Sequence, residues 1–123
     1  DDIHKIEVKS IDSPSGYKPG EVIIRSIMLT NLGNLTENIS IGITGNLWQV
    51  NILSDIPFTL EPNETRIIQL EVNIPITADI FDVDKAVLTI MAEINSPPPR
   101  TINTLSLTTL TGYRTYLPIA LNQ

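Results

Sequence analysis

Along most of this chain apolar and polar residues alternate one by one, and the alternation breaks only at turn residues. Ile68, Leu70, Val72 and Ile74 alternate with Gln69, Glu71 and Asn73; Ala86, Leu88, Ile90, Ala92 and Ile94 alternate with Lys85, Val87, Thr89, Met91 and Glu93. A period of two sends successive side chains to opposite faces of a strand, so each such segment has one face to bury. Spacing of the helical kind is nearly absent. Ile, Val, Thr and Leu dominate, and runs of Ala, Glu and Lys do not occur, so local propensity points the same way.

Strands are expected over residues 3–11, 21–31, 39–44, 48–52, 58–60, 68–74, 85–94 and 102–109. In the second, Ile23, Ile27 and Leu29 share one face while Ser26, Met28 and Thr30 share the other. In the fourth, Trp48, Val50 and Ile52 share a face, and in the last Leu105 and Leu107 do. Asp12-Ser13-Pro14-Ser15-Gly16, Lys18-Pro19-Gly20, Asn31-Leu32-Gly33-Asn34, Gly45-Asn46 and Glu61-Pro62-Asn63-Glu64 carry turn chemistry. Pro97-Pro98-Pro99 imposes a polyproline-type connection. Seven to eight short strands, each apolar on one side, predict two antiparallel sheets packed face to face.

A chain of 123 residues is one domain by length and can bury a core without staples. Eight basic and 14 acidic residues leave a net charge of −6, and the basic residues are scattered. Binding to a phosphate backbone or an anionic membrane surface needs clustered cations, so neither partner is expected. With no Cys there is no disulfide framework or thiolate metal site. The longest uncharged run, between Glu37 and Asp55, is interrupted by Gly42, Gly45, Asn46 and Asn51, so no transmembrane segment is expected. Asp1-Asp2 is not followed by an apolar stretch of signal-peptide type, and the expectation is a piece of a larger exported protein.

The segments PGEVIIRSIMLTNLGNLTENISI (19–41), Trp48, LEPNETRIIQLEVNIP (60–75) and DVDKAVLTIMAEI (82–94) resemble bacterial Ig-like repeats of the CARDB and alpha-galactosidase-associated, fibronectin type III-like kind. The shared pattern is a Pro-Gly-Glu turn, a strand ending in Thr-Asn-x-Gly-Asn, a Trp-containing strand, a Leu-x-Pro-Gly-Glu turn and an Asp-initiated strand. It covers residues 19–110. Asn63 stands where the family has Gly, which the tolerance of Asn for positive φ permits. Arg25 stands where an aromatic is common. The resemblance implies an immunoglobulin-like antiparallel β-sandwich, extracellular or on the cell surface, without catalysis of its own and attached to something larger.

Candidate sites are few. His4 is the sole histidine, so any Ser/His/Asp triad must use it; its extended N-terminal setting reads as an exposed strand edge. Asp79, Asp82 and Asp84 supply the oxygens a calcium ion seeks, but without EF-hand spacing or a Gly for the sharp turn. They read as turn residues, with no metal and no cofactor. Asn34, Asn38 and Asn63 open glycosylation sequons that the Asn- and Thr-rich composition explains. Trp48, Tyr17, Tyr113 and Tyr116 are the candidates for a sugar-stacking platform, yet the phase of Trp48 puts it in the core.

The sequence thus predicts a non-catalytic accessory, spacer or adhesion module of a secreted or cell-surface bacterial protein, such as a protease or glycosidase. Its partners would be other domains of the parent chain or another surface protein. A carbohydrate-binding module with a polysaccharide ligand is the alternative. Residues 1–112 form the domain in this reading. Residues 113–123 form a tail, similar to a Tyr-Leu-Pro-aliphatic ending of some exported bacterial proteins, that adds a final edge strand or serves as a sorting signal.

Overall fold

The computed structural model describes residues 2–93 and 100–112. Eight strands lie where the alternation runs: β1 (Ile6–Ser10), β2 (Val22–Asn31), β3 (Glu37–Thr44), β4 (Gln49–Ile52), β5 (Phe58–Leu60), β6 (Thr65–Asn73), β7 (Val83–Ala92) and β8 (Arg100–Leu110). They form two antiparallel four-stranded sheets, ordered β1-β2-β6-β4 and β5-β3-β7-β8. Among the described residues there is no helix.

The inward phases of the two sheets meet in one core. Ile27 and Leu29 of β2 and Ile68 and Leu70 of β6 face Ile39 of β3 and Leu88 and Ile90 of β7, all fully buried. Each such side chain contributes about 1.5–3 kcal/mol on leaving water. A second, smaller cluster of Trp48, Val72 and Ile74 closes one end, with Tyr17, Ile23, Val50 and Ala78 against it.

The observed strands depart from the expected ones mainly at their ends. Residues 3–5 stand outside the ladder because the turn at Asn31 holds them. The Leu32 N–H donates to the Lys5 carbonyl (2.8 Å) and the Ile3 N–H to Asn34 Oδ1 (2.8 Å). Gly33 is there for close approach: a β-carbon at this position would stand 2.1 Å from the Ile3 carbonyl oxygen. Trp48 belongs to the turn before β4 rather than to the strand. The proline run and residues 113–123, with the expected edge strand, lie outside the described residues.

Three turns share one construction. In Lys18-Pro19-Gly20-Glu21, the Lys18 N–H donates to Glu21 Oε1 (2.7 Å) and the Glu21 N–H to the Lys18 carbonyl (3.1 Å). Glu61-Pro62-Asn63-Glu64 repeats this through Glu64 Oε1 (2.8 Å) and the Glu61 carbonyl (2.9 Å). Asp79-Ile80-Phe81-Asp82 does so through Asp82 Oδ2 (2.8 Å) and the Asp79 carbonyl (3.1 Å). The third residue is left-handed in each: Gly20 at φ 85°, Asn63 at 68° and Phe81 at 72°. Gly and Asn are the residues that this geometry favours. Phe is not.

Candidate functional site

Among the described residues six polar or charged ones are buried: Arg25, Asn31, Glu37, Asp84, Thr109 and Thr111. Arg25, Asn31, Glu37 and Asp84 continue the inward phase of their strands, and each ties separate parts of the chain together. Arg25 crosses from β2 to the other sheet, donating from Nη1 to the Thr108 carbonyl (2.7 Å) and Thr109 Oγ1 (2.8 Å), and from Nε to Asp12 Oδ1 (2.9 Å). Asn31 Nδ2 donates to the carbonyls of Leu35 (2.8 Å) and Leu60 (2.9 Å), while its Oδ1 accepts the Gly33 N–H (2.9 Å). Thr111 Oγ1 donates to the Asp79 carbonyl (2.6 Å) and accepts the Asp82 N–H (2.9 Å). Among the described residues, no buried side-chain nitrogen or oxygen lacks a partner.

The three candidate metal ligands do not converge. Asp82 accepts the Asp79 N–H within its own turn. Asp84 points inward, where Oδ1 accepts the Leu47 N–H (2.7 Å) and Oδ2 the Trp48 N–H (3.2 Å). That carboxylate fixes the turn that seats Trp48. Among the described residues no three His, Cys, Asp or Glu side chains gather to hold a metal ion. His4 also departs from expectation, being half-buried with its Nδ1 2.6 Å from Oε2 of the buried Glu37.

The proposed aromatic platform divides. Trp48 is only 8% exposed, as its phase predicted. Tyr17 is half-buried, its hydroxyl donating to the Ser13 carbonyl (2.5 Å) and its ring 5.7 Å from the Arg25 guanidinium. Burial holds the Tyr17 phenol above its ordinary value, and the Arg25 charge partly offsets this. Tyr113 and Tyr116 lie outside the described residues.

An open hollow of about 510 Å³ is lined by Ser10, Asp12, Pro14, Arg25, Ser106 and Thr108. Its charges are spent on the fold. Asp12 Oδ2 accepts the Ser26 N–H (2.7 Å) and Oδ1 takes Arg25 Nε.

Apolar exposure concentrates elsewhere. The end of the sandwich where β2, β4 and β7 begin and β6 and β8 finish carries Val22, Leu47, Ile76, Ile80, Phe81 and Val83. Leu47 and Ile76 are 87% and 83% exposed. Sequence reading missed this cluster because its members come from separate loops and strand starts.

No known family's profile matches the chain, and no curated protein matches it in sequence. Similarity appears in structure. A family 123 glycoside hydrolase from Clostridium perfringens superposes with a TM-score of 0.56 at 7% identity, over 87% of this chain and 27% of that one. An MSP family member from C. elegans gives 0.52 at 10% identity, over 89% of this chain and 100% of its own. The sporulation control protein of Bacillus subtilis gives 0.51 at 14%, over 98% and 54%. The chain therefore spans about a quarter of the hydrolase and about half of the sporulation protein. At such identities the likeness establishes architecture alone: the chain is an all-β, immunoglobulin-like antiparallel β-sandwich.

Proposed function

We propose that this domain is a non-catalytic accessory module, of the CARDB-like kind, in a larger secreted or cell-surface bacterial protein. The observation that carries this reading is that every buried polar side chain among the described residues is engaged in a hydrogen bond. Arg25, Asn31, Glu37 and Asp84 are the residues a catalytic or binding site would draw on, and each is engaged in tying turns and sheets together. A reactive site needs polar groups converging on a concave space. The hollow beside Arg25 has its Arg and Asp bonded to each other. Phe81 is the one exposed aromatic among the described residues, and a sugar platform needs two.

The test is affinity electrophoresis of the domain through gels containing soluble polysaccharides, with a calcium titration alongside. Unchanged mobility and an unchanged melting temperature are expected. Retardation would move the assignment to a carbohydrate-binding module. A ligand that binds only the folded state raises stability by RT ln(1 + [L]/Kd), so millimolar calcium would reveal even a weak ion site. A rise of several degrees that Asp82→Ala abolishes overturns the turn-chemistry reading. Antibody labelling of intact source cells tests the location, and labelling only after lysis counts against it.

A further inference from the structure

We infer that the free edge of β8 pairs with the same edge of a second copy of this chain, antiparallel and centred on Ser106. The sheet edges are held by β1, β4, β5 and β8. Three of them are blunted by length or charge. β4 and β5 have four and three residues, and β1 has five, with Glu7 and Lys9 among them. β8 has 11 residues, with no proline and no charge after Arg100. A long uncharged edge is a template for another strand.

The main chain of β8 shows which groups are open. In an antiparallel ladder, alternate residues turn their N–H and carbonyl toward one neighbour and the residues between turn theirs the other way. The Leu110 N–H donates to the Pro14 carbonyl (2.8 Å), and the Thr108 carbonyl accepts Arg25 Nη1 (2.7 Å). Thr104, Ser106 and Thr108 therefore turn their main-chain groups away from β7. At one end this edge is closed, where the segment from Pro14 to Tyr17 runs beside Leu110 to Gly112. At the other a bulge interrupts it: Thr101 lies opposite Met91 and Asn103 opposite Ile90, so Ile102 is an extra residue. Between these limits the hollow beside Arg25 has Ser106 and Thr108 on its rim.

Two groups of this stretch are already used. The Thr104 N–H donates to Asn103 Oδ1 (2.8 Å), and the Thr108 carbonyl is held by Arg25. The Thr104 carbonyl, both main-chain groups of Ser106 and the Thr108 N–H are left open among the described residues. This pattern is its own complement. With a two-fold axis at Ser106, that residue faces Ser106 of the second copy, and Thr104 faces Thr108 of the second copy. The Ser106 pair exchanges both its bonds, and each Thr108 N–H meets the Thr104 carbonyl opposite, so every open group is used. The used donor and the used acceptor then stand against each other, where neither is needed. An axis at Thr104 or Thr108 would instead set a used group against an open one. The side chains agree with this register. Thr104, Ser106 and Thr108 lie on the outer face of β8, and Leu105 and Leu107 on the inner face. Hydroxyl thus meets hydroxyl, Leu meets Leu, and no charges oppose. Leu105, half-buried against the core of one copy, gains the cover of the other.

The experiment follows the mass of the full chain by sedimentation equilibrium up to about 1 mM. Expected is a reversible monomer–dimer equilibrium that Ser106→Pro abolishes. The melting temperature at high dilution should stay near that of the unaltered chain, because the N–H removed points away from β7. A second set of variants keeps the β8 backbone intact. Thr104→Lys with Thr108→Lys sets like charges against each other across the axis and should separate the copies. Thr104→Lys with Thr108→Glu sets opposite charges there and should restore the dimer. The absence of cysteine gives a readout of register. Opposed residues of a bonded pair have Cα atoms about 5.5 Å apart, within reach of a disulfide. Under mild oxidation Ser106→Cys should therefore cross-link at least about tenfold faster than Thr59→Cys on the exposed β5 edge. A chain that stays monomeric at about 1 mM overturns the proposal. So does a dimer that survives both Ser106→Pro and the paired lysines, or one that cross-links equally well through residue 59, since either places the contact elsewhere.

Discussion

At the residue scale, the most informative side chains are the polar ones that keep the phase of the core. Asp84 occupies the position that the alternation Ala86, Leu88, Ile90 assigns to the interior. Replacing it with Ala strands the Leu47 and Trp48 N–H groups, and a buried unsatisfied donor costs about 1–3 kcal/mol. Trp48→Ala should cost about 3–5 kcal/mol, as large aromatic truncations do. Asp84→Ala should also shift the Trp48 emission to the red, and an unshifted spectrum would show that the turn holds without its carboxylate. Phe81→Gly works in the opposite direction. In a chain ending at Gly112 it should raise stability by about 1 kcal/mol by relieving a left-handed bulky residue, read from the denaturation midpoint. A loss would mean that contacts of the ring outweigh the strain. Trp48 was legible from its phase with Val50 and Ile52. Arg25 and Asp84 were equally legible by phase, but a charged residue on an apolar face discloses its partners only when Thr108 or Leu47 is brought beside it.

At the scale of elements, the turn that ends in Glu64 makes stability depend on pH. Hydrogen bonding from the Glu61 N–H, then the nearby Arg66 guanidinium, holds the Glu64 carboxyl below its ordinary value of 4.5. A carboxyl lowered by folding contributes stability above its unfolded value and loses it as pH falls through the folded one. Tyr17 acts at the other extreme. Its phenol is raised above 10.0, so its contribution is complete below that value and is lost as pH rises through the folded one. Chemical denaturation across pH should therefore show a decline below pH 4.5 that Glu64→Gln flattens, and one above pH 10 that Tyr17→Phe flattens. A Tyr17→Phe profile that still declines identically would place the alkaline effect elsewhere. Two of the three turns could be read from Pro-Gly-Glu and Pro-Asn-Glu. The third was legible as a turn from its Asp residues, but its left-handed Phe81 was not, because Ile80-Phe81 carries none of the residues that favour that geometry.

At the scale of the whole molecule, eight strands follow from a period of two, but their neighbours do not. β2 pairs with β6 across three intervening strands, and which inward faces meet depends on packing that no local pattern encodes. One consequence of the arrangement is mechanical. β1 pairs with β2 from Ile6 opposite Asn31 to Ser10 opposite Ile27, so the chain enters at the end of the sandwich opposite to the one where Gly112 leaves. Tension applied between residues 2 and 112 pulls β1 along β2. Because ladder bonds lie perpendicular to the strands, the whole β1–β2 set is loaded at once instead of opening one bond at a time. Asn103 Nδ2, which donates to the Ile6 carbonyl from β8 (2.8 Å), braces that same strand from the other sheet. Pulled from its two ends in a force experiment, the domain should hold as a clasp does. Pulled between residue 2 and the β2–β3 turn, it should peel open at much lower force.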